Sequence, residues 1–145
     1  MSIGNSLKPG SALEPAVRPG TQAIEAKDAG CMAIPSRRNA IDSLYLDHAL
    51  RPSYPNHRRW DYIVSTKLAL YGIETHSATT KEASVVIGKK KWGAARMREH
   101  LANGLGVTAW YWVASGRVDF KDTGRVRRRL NQEGITFAGK AVTLK

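Results

Sequence analysis

Two acidic side chains in neighbouring predicted strands have residue types and spacing suited to metal-assisted chemistry. Asp61 lies in the aromatic and β-branched stretch 60–64, and Glu74 lies in the stretch 68–76. Residues two apart in a strand point to the same side, so Glu74 shares a face with His76. Carboxylate oxygens suit Mg²⁺ or Mn²⁺, which proteins usually hold by one or two carboxylates plus a substrate phosphate. The pattern therefore predicts a divalent-cation site that acts on a phosphate-bearing substrate.

The register of the two strands decides whether this site can form. Their short connection predicts an antiparallel hairpin, and a turn centred on Lys67 and Leu68 puts Asp61 directly opposite Glu74. A shift of two residues leaves the pair diagonal on one face, whereas a shift of one sends Asp61 to the other face. Directly opposed carboxylates repel each other, and a cation between them removes that repulsion.

The elements around the hairpin predict an α/β fold with a small mixed sheet flanked by helices, in a three-layer type of arrangement. The expected order is α-β-β-α-β-α-β. Three helices are expected, over about 37–50 with Ser36 as N-cap, over 80–102 with Thr79 and Glu82 as a capping box, and over about 122–133. After the hairpin, a strand is expected over 107–114, and residues 135–137 and 141–144 are expected to form one last strand or a small hairpin.

Composition divides the chain into two parts. Residues 1–35 hold four of the six prolines and no aromatic residue, which predicts a flexible Pro/Gly-rich tail. Residues 36–145 are expected to form a single basic α/β domain. The charges of the first part cancel, so the net charge of +11 lies on residues 36–145.

This excess of positive charge favours a polyanionic partner. The chain has 23 Lys and Arg against 12 Asp and Glu, which indicates nucleic acid, with DNA preferred over RNA. The candidate phosphate contacts are Lys89, Lys90, Lys91, Arg96, Arg127, Arg128, Arg129, Arg58 and Arg59. The same side chains could instead form solvated surfaces without a partner.

Several classes of protein are disfavoured. No segment approaches the roughly 20 consecutive apolar residues that a membrane span requires. The N-terminus lacks the charged-then-apolar layout of an export signal, so we expect a cytoplasmic protein without a membrane partner. The single cysteine, Cys31, can form neither an internal disulfide nor a cysteine zinc site.

Residues 37–115 resemble the PD-(D/E)xK nuclease superfamily, whose fold is restriction-endonuclease-like. That superfamily has an αβββαβ core in which one strand supplies Asp and the next supplies Glu-x-Lys. The matching residues here are Asp61, in Arg59-Trp60-Asp61-Tyr62, and Glu74-Thr75-His76, with a helix and a strand following in the same order. Two positions depart from the pattern, since no proline precedes Asp61 and His76 stands in place of the lysine.

The resemblance implies Mg²⁺- or Mn²⁺-dependent hydrolysis of phosphodiester bonds by an endonuclease. The metal ligands would be Asp61, Glu74 and the backbone carbonyl of Thr75. In many members an acidic residue of the first helix joins them, which makes Asp47, and after it Asp42, a further candidate ligand. The remaining catalytic role, orienting water or stabilising developing charge, would belong to His76 or to one of the three lysines that begin with Lys89. Many such nucleases act as homodimers, so a homodimer is possible here.

Two other hypotheses remain open. The chain could be a nuclease-like basic domain that binds nucleic acid without cutting it, in which case affinity should fall with salt and need no divalent ion. It could also bind an acidic protein. In both cases Asp61 and Glu74 would be ordinary strand residues paired with Arg58, Arg59 or Lys67.

Overall fold

A six-stranded mixed sheet with helices packed against it forms the protein in the computed structural model, which describes residues 1–145. The strands are β1 (Val17–Pro19), β2 (Asp42–Tyr45), β3 (Tyr62–Ser65), β4 (Leu70–Thr79), β5 (Ala109–Asp119) and β6 (Ile135–Gly139). The helices are α1 (Ile3–Ser6), α2 (Ile34–Asn39), α3 (Leu46–Leu50), α4 (Glu82–His100) and α5 (Thr123–Gln132). Two short 3₁₀ segments cover Glu14–Ala16 and Ala26–Cys31. None of the helices combines the length and the apolar composition needed to cross a bilayer.

The strands follow one another across the sheet in chain order. β1 to β4 form an antiparallel meander, and β5 and β6 then add in parallel. Each parallel connection needs a crossover, which α4 supplies between β4 and β5 and α5 supplies between β5 and β6. The predicted α/β class with a mixed, helix-flanked sheet is therefore confirmed.

Both faces of the sheet are covered by apolar side chains. On one face α4 and α5 pack over a cluster whose largest buried members are Trp60 and Trp112. On the other face a smaller cluster around Tyr62 and Ile73 is covered by the chain near Met32. Burial on both faces explains why β5 is nearly all apolar in its first half.

The predicted hairpin and its register are confirmed. β3 and β4 are antiparallel, with Tyr62 paired to Ile73 and Ser65 paired to Leu70, so the turn centres where the sequence places it. Continuing this register by one residue puts Asp61 opposite Glu74.

The predicted first helix over 37–50 is wrong, because β2 interrupts it. Residues Asp42–Tyr45 are a strand between the short helices α2 and α3. Ser36 caps no helix; it is buried, and its hydroxyl accepts the Leu144 N–H at 2.7 Å. The apolar spacing of Ile41 and Leu44 imitates a helical period, although Leu44 is buried in the sheet.

Three further boundaries differ from the prediction. The N-cap of α4 is Lys81 and no side chain caps it, so the capping box does not form. β5 runs on to Asp119, where it pairs with the extended end of β4. The chain after β6 forms a single parallel bridge, Met32 to Val142, so residues 141–144 neither continue β6 nor form a hairpin with it. The third predicted helix is confirmed as α5, with the Asp122 side chain accepting the Arg125 N–H at 3.0 Å.

Residues 1–35 differ from the flexible tail that the sequence predicts. Ile3 and Leu13 are fully buried in the larger core cluster, and β1 extends the sheet beyond β2. The buried Asp42 carboxylate accepts the backbone N–H groups of Ile3 and Gly4 at 2.8 and 3.1 Å. A few well-spaced apolar residues and one buried acceptor anchor the segment, although its average composition is that of a linker.

Candidate active site

The hairpin holds Asp61 and Glu74 against each other through backbone hydrogen bonds. The Asp61 N–H donates to Glu74 Oε1 at 3.0 Å. In return, Asp61 Oδ2 accepts the Thr75 N–H at 3.0 Å and the Thr75 hydroxyl at 3.1 Å. Each carboxylate is therefore fixed by the strand that carries the other, as the predicted register requires.

Lys89 enters this site from α4. Its Nζ donates to Glu74 Oε2 at 2.5 Å, an ion pair in which the Glu74 side chain is completely buried. One helical turn further on, Gly93 lets α4 lie close to the sheet, since a Cβ there would come within 2.9 Å of Trp60 Cβ. Of the two sources considered for a basic group, His76 and the three lysines, the structure brings Lys89 into contact with Glu74.

His76 lies beside the pair, on the same face of β4 as Glu74. Its Nε2 lies 2.8 Å from Glu82 Oε2, and its Nδ1 lies 3.7 Å from Glu74 Oε2. Because Glu82 begins α4, this contact ties the end of β4 to the helix that carries Lys89. The hydrogen bond from His76 lowers the pKa of the Glu82 carboxyl.

Burial sets the electrostatics of the site. Loss of solvent raises the pKa of Glu74 well above its usual value, and the nearby Asp61 carboxylate adds to the rise. Burial likewise raises the pKa of Asp61, partly offset by the Lys89 ammonium and the Thr75 hydrogen bonds. The two carboxylates raise the pKa of Lys89 against the opposing effect of its own burial. A positive charge between the carboxylates is therefore favoured.

Asp47 lies near the site, but both of its carboxylate oxygens accept hydrogen bonds from arginines. Arg59 Nε donates to Asp47 Oδ1 at 2.7 Å, and Arg51 donates to Oδ2 at 3.0 Å. The Asp47 N–H also donates to the backbone carbonyl of Asp61 at 3.3 Å. Asp47 therefore holds the segment that leads into Asp61. The other acidic candidate, Asp42, anchors α1 as described above.

The predicted phosphate contacts from 58 to 96 fall into two sets. Arg58 and Lys91 are exposed, and the closest carboxylate to Lys91 is Glu133, at 3.7 Å. Arg59 and Lys90 are engaged, the first with Asp47 and the second over the ring of Trp110 at 5.9 Å.

Arg96 belongs to the engaged set as well. It lies over the rings of Tyr54 and Trp92 and pairs with Glu99 at 3.0 Å.

The arginines of α5 lie on the far side of α4 from the carboxylates. Arg129 donates to the Ser84 hydroxyl at 2.9 Å, and Arg127 lies over the ring of Phe137 at 5.3 Å. Arg128 is exposed, like both of these. The structure therefore separates a carboxylate–lysine site from a second basic surface on α5.

The site offers one free carboxylate oxygen to a small, oxygen-preferring cation. No three His, Cys, Asp or Glu side chains converge as a complete metal-binding group. Mg²⁺ commonly needs only one or two carboxylates, with substrate oxygens and water completing its coordination. Asp61 Oδ1 accepts no hydrogen bond from the protein and is not among its buried unpaired atoms. It is thus an available ligand beside Glu74.

Two members of the site were not predicted in the roles that they have. The Thr75 hydroxyl fixes Asp61, although the sequence singles out only the Thr75 carbonyl. Glu82, expected as a capping residue, instead contacts His76. The Thr75–Asp61 contact follows from the hairpin register, whereas nothing in the sequence indicates the contact of Glu82.

Comparison with protein-family models, curated proteins and solved structures gave no match to this chain. A functional assignment therefore rests on the geometry of the site, because a fold class alone does not fix a function.

Proposed function

We propose that this protein is a metal-dependent nuclease that hydrolyses phosphodiester bonds of nucleic acid, with DNA as its first substrate. The observation that carries the proposal is the contact of Lys89 Nζ with buried Glu74 Oε2, directly beside Asp61. Two carboxylates and one ammonium group on adjacent strands and a crossover helix are the residue types that phosphodiester hydrolysis requires.

The order of the elements supports a restriction-endonuclease-like fold. A helix, α2, precedes three antiparallel strands, β2 to β4, and α4 then leads to the parallel strand β5. This matches the αβββαβ order of the PD-(D/E)xK superfamily, with Asp61 and Glu74 at the matching strands. The short helix α3 between β2 and β3 is an addition to that order.

Each side chain has a distinct part in the proposed reaction. Asp61, Glu74 and the Thr75 carbonyl would hold Mg²⁺ or Mn²⁺, which lowers the pKa of water and neutralises the leaving oxygen. Lys89 takes the part of the lysine that His76 replaces, and it would orient the attacking water or stabilise charge on the phosphate. His76, held by Glu82, is positioned to move a proton.

Asp47 is not needed as a ligand in this proposal. Its two oxygens already accept hydrogen bonds from Arg51 and Arg59. We infer that it positions Asp61 through the chain between them, and that exposed Arg58 offers a positive charge to the substrate backbone.

The test is cleavage of supercoiled plasmid and single-stranded DNA in Mg²⁺, in Mn²⁺ and in EDTA. We expect divalent-dependent cleavage by the wild type and losses of about 100-fold or more for Asp61→Asn, Glu74→Gln and Lys89→Met. The matched controls are Asp119→Asn, an exposed carboxylate, and Lys67→Met, an exposed lysine in the turn between β3 and β4.

These controls should cleave at the wild-type rate. Equal rates in the wild type and the three site variants, or cleavage that persists in EDTA, would overturn the proposal.

A second candidate function is nucleic-acid binding without cleavage. It is favoured by the fact that both Glu74 oxygens already have protein partners, Asp61 N–H and Lys89, so the ion pair is also complete without a metal. In that case affinity for DNA would be unchanged by EDTA and would fall steeply with salt. Arg128→Glu would make the negative slope of log affinity against log salt shallower by about 0.9, because the protein would neutralise one phosphate fewer.

A further inference from the structure

A cavity lies on the face of the sheet opposite α4, beside the proposed catalytic carboxylates. Its volume is about 370 Å³, within the range of small-molecule sites. The 3₁₀ segment Ala26–Cys31 forms one wall, and the parallel strands β4 and β5 form the floor. Lys140, which follows β6, is also among the lining residues.

Thr75 connects the cavity to the carboxylates. It lines the cavity from the middle of β4. Its N–H and its hydroxyl both donate to Asp61 Oδ2, at 3.0 and 3.1 Å. A molecule in contact with Thr75 would therefore lie one residue away from Asp61, on the face of the sheet opposite the one that Lys89 contacts.

The cavity lining holds two lysines that form no ion pair within the protein. Lys27 and Lys140 line it, are exposed, and form no ion pair within the chain. Its one carboxylate, Asp28, accepts the Tyr62 hydroxyl at 2.6 Å. Two ammonium groups without ion-pair partners in the lining of one cavity favour the binding of a phosphate group there.

The lining also includes buried apolar side chains. Cys31 and Val113 are buried there, and loss of solvent raises the pKa of the Cys31 thiol to about 12, so the thiol is neutral. Gly30 and Gly116 present backbone to the cavity without side chains. A lining with buried apolar side chains and two exposed lysines suits a ligand that has an organic part and a phosphate.

We propose that this cavity binds the nucleotide next to the scissile phosphate, with Lys27 and Lys140 contacting its phosphate group. The inference rests on the proposed nuclease function, because the substrate strand would pass from Lys89 over Asp61, at the end of β3, into the cavity. Such a subsite gives the N-terminal segment a part in substrate binding and favours a single or locally unpaired strand.

The experiment is an NMR titration of the ¹⁵N-labelled full chain in EDTA with thymidine 5′-monophosphate, and separately with inorganic phosphate. We expect the nucleotide to shift the amide signals of Gly30, Cys31 and Gly116. Lys27→Glu combined with Lys140→Glu should weaken nucleotide binding by about tenfold or more. Lys67→Glu reverses one exposed lysine at the β3–β4 turn, at the other end of the strands, and should leave binding unchanged.

The outcomes separate this proposal from the nuclease proposal, because no metal or cleavage is needed. Absence of shifts at the cavity, shifts that survive the lysine reversals in a protein with unchanged signal dispersion, or equal affinity for inorganic phosphate would overturn the nucleotide subsite. Cavity shifts that depend on both lysines in a wild type that cleaves no DNA would support a nucleotide site in the cavity and overturn the nuclease function, and with it the placement of that site next to a scissile phosphate.

Discussion

At the scale of single residues, two buried carboxylates differ in what surrounds them. Asp42 accepts two backbone N–H groups and the Ser65 hydroxyl, which is the environment of a structural acceptor. Glu74 instead faces the Asp61 carboxylate and relies on Lys89 for its countercharge. Opposed acidic groups in a buried position cost stability, and proteins keep such arrangements where function requires them.

This contrast gives a prediction for stability. Asp61→Asn should leave the free energy of unfolding unchanged or raise it by up to about 1 kcal/mol, because repulsion with Glu74 ends while an oxygen remains for the Thr75 N–H. Asp42→Asn should lose about 1–3 kcal/mol, because its amide would meet a backbone N–H of α1. Urea unfolding at pH 7 measures both. A large loss in Asp61→Asn would assign that carboxylate a structural role.

The ion pair gives a prediction for pH dependence. Burial raises the pKa of Glu74 well above its ordinary value even beside Lys89, and in Lys89→Met the loss of the countercharge raises that pKa further. The folded variant then binds more protons than the unfolded chain, and its free energy of unfolding falls as pH rises above the ordinary pKa of 4.5.

The free energy of unfolding of the wild type should fall less over the same pH range. The raised pKa of Lys89 keeps its ammonium charged, so Glu74 retains its countercharge. The difference between the two proteins should be small near pH 4.5 and reach about 3 kcal/mol at pH 8. Urea unfolding at several pH values between these limits measures it. A difference that stays constant with pH would contradict the assignment of charge coupling to this pair.

At the scale of elements, the position of α4 decides whether Lys89 meets Glu74. Gly93 allows the close approach of the helix, because a Cβ there would lie 2.9 Å from Trp60 Cβ. Gly88 on the same helix is exposed, and a Cβ there meets nothing within 4 Å. The two glycines therefore differ in packing while sharing the same helical backbone.

Alanine at each position separates these effects. Gly93→Ala should lose about 1–3 kcal/mol of stability and reduce cleavage, because the displaced helix moves Lys89 away from Glu74. Gly88→Ala should gain about 0.5–1 kcal/mol from helix propensity and cleave normally. Thermal unfolding and plasmid cleavage check both. Normal cleavage by Gly93→Ala would mean that the position of α4 does not govern the site.

The sequence predicts the elements whose signals are local. The hairpin register follows from the alternation of β3 and β4 around a polar turn, and it correctly places Asp61 opposite Glu74. The sequence leaves open whether His76 or a lysine of α4 supplies the basic group, because helix spacing alone does not show how closely α4 approaches the sheet. β2 was missed because a four-residue strand between two short helices resembles one helical period.

At the scale of the whole molecule, the first 35 residues are part of the fold. Their burial depends on single apolar anchors that an average composition hides, with Ile3 completely buried. The Leu7 to Leu101 bridge also joins this segment to the end of α4. The N-terminal segment therefore supports the same helix that carries Lys89, and it also forms one wall of the cavity.

Two isoleucines test this integration with the same chemical change. Ile3→Ala should lose about 2–5 kcal/mol, because it empties a buried site in the larger core cluster. Ile34→Ala, whose side chain is 64% exposed, should change stability by less than about 0.5 kcal/mol. Urea unfolding of both variants checks this. An Ile3→Ala variant as stable as the wild type would instead support the interpretation of residues 1–35 as a flexible tail.

The most direct test of the central claim, that Asp61 and Glu74 form a divalent-cation site, is a Mn²⁺ titration followed by electron paramagnetic resonance. The wild type should bind Mn²⁺, and Asp61→Asn should bind it about tenfold more weakly or worse. Lys89→Met should bind at least as tightly as the wild type, because its ammonium no longer competes for Glu74. Wild-type and Asp61→Asn proteins with equal Mn²⁺ affinity would contradict the account.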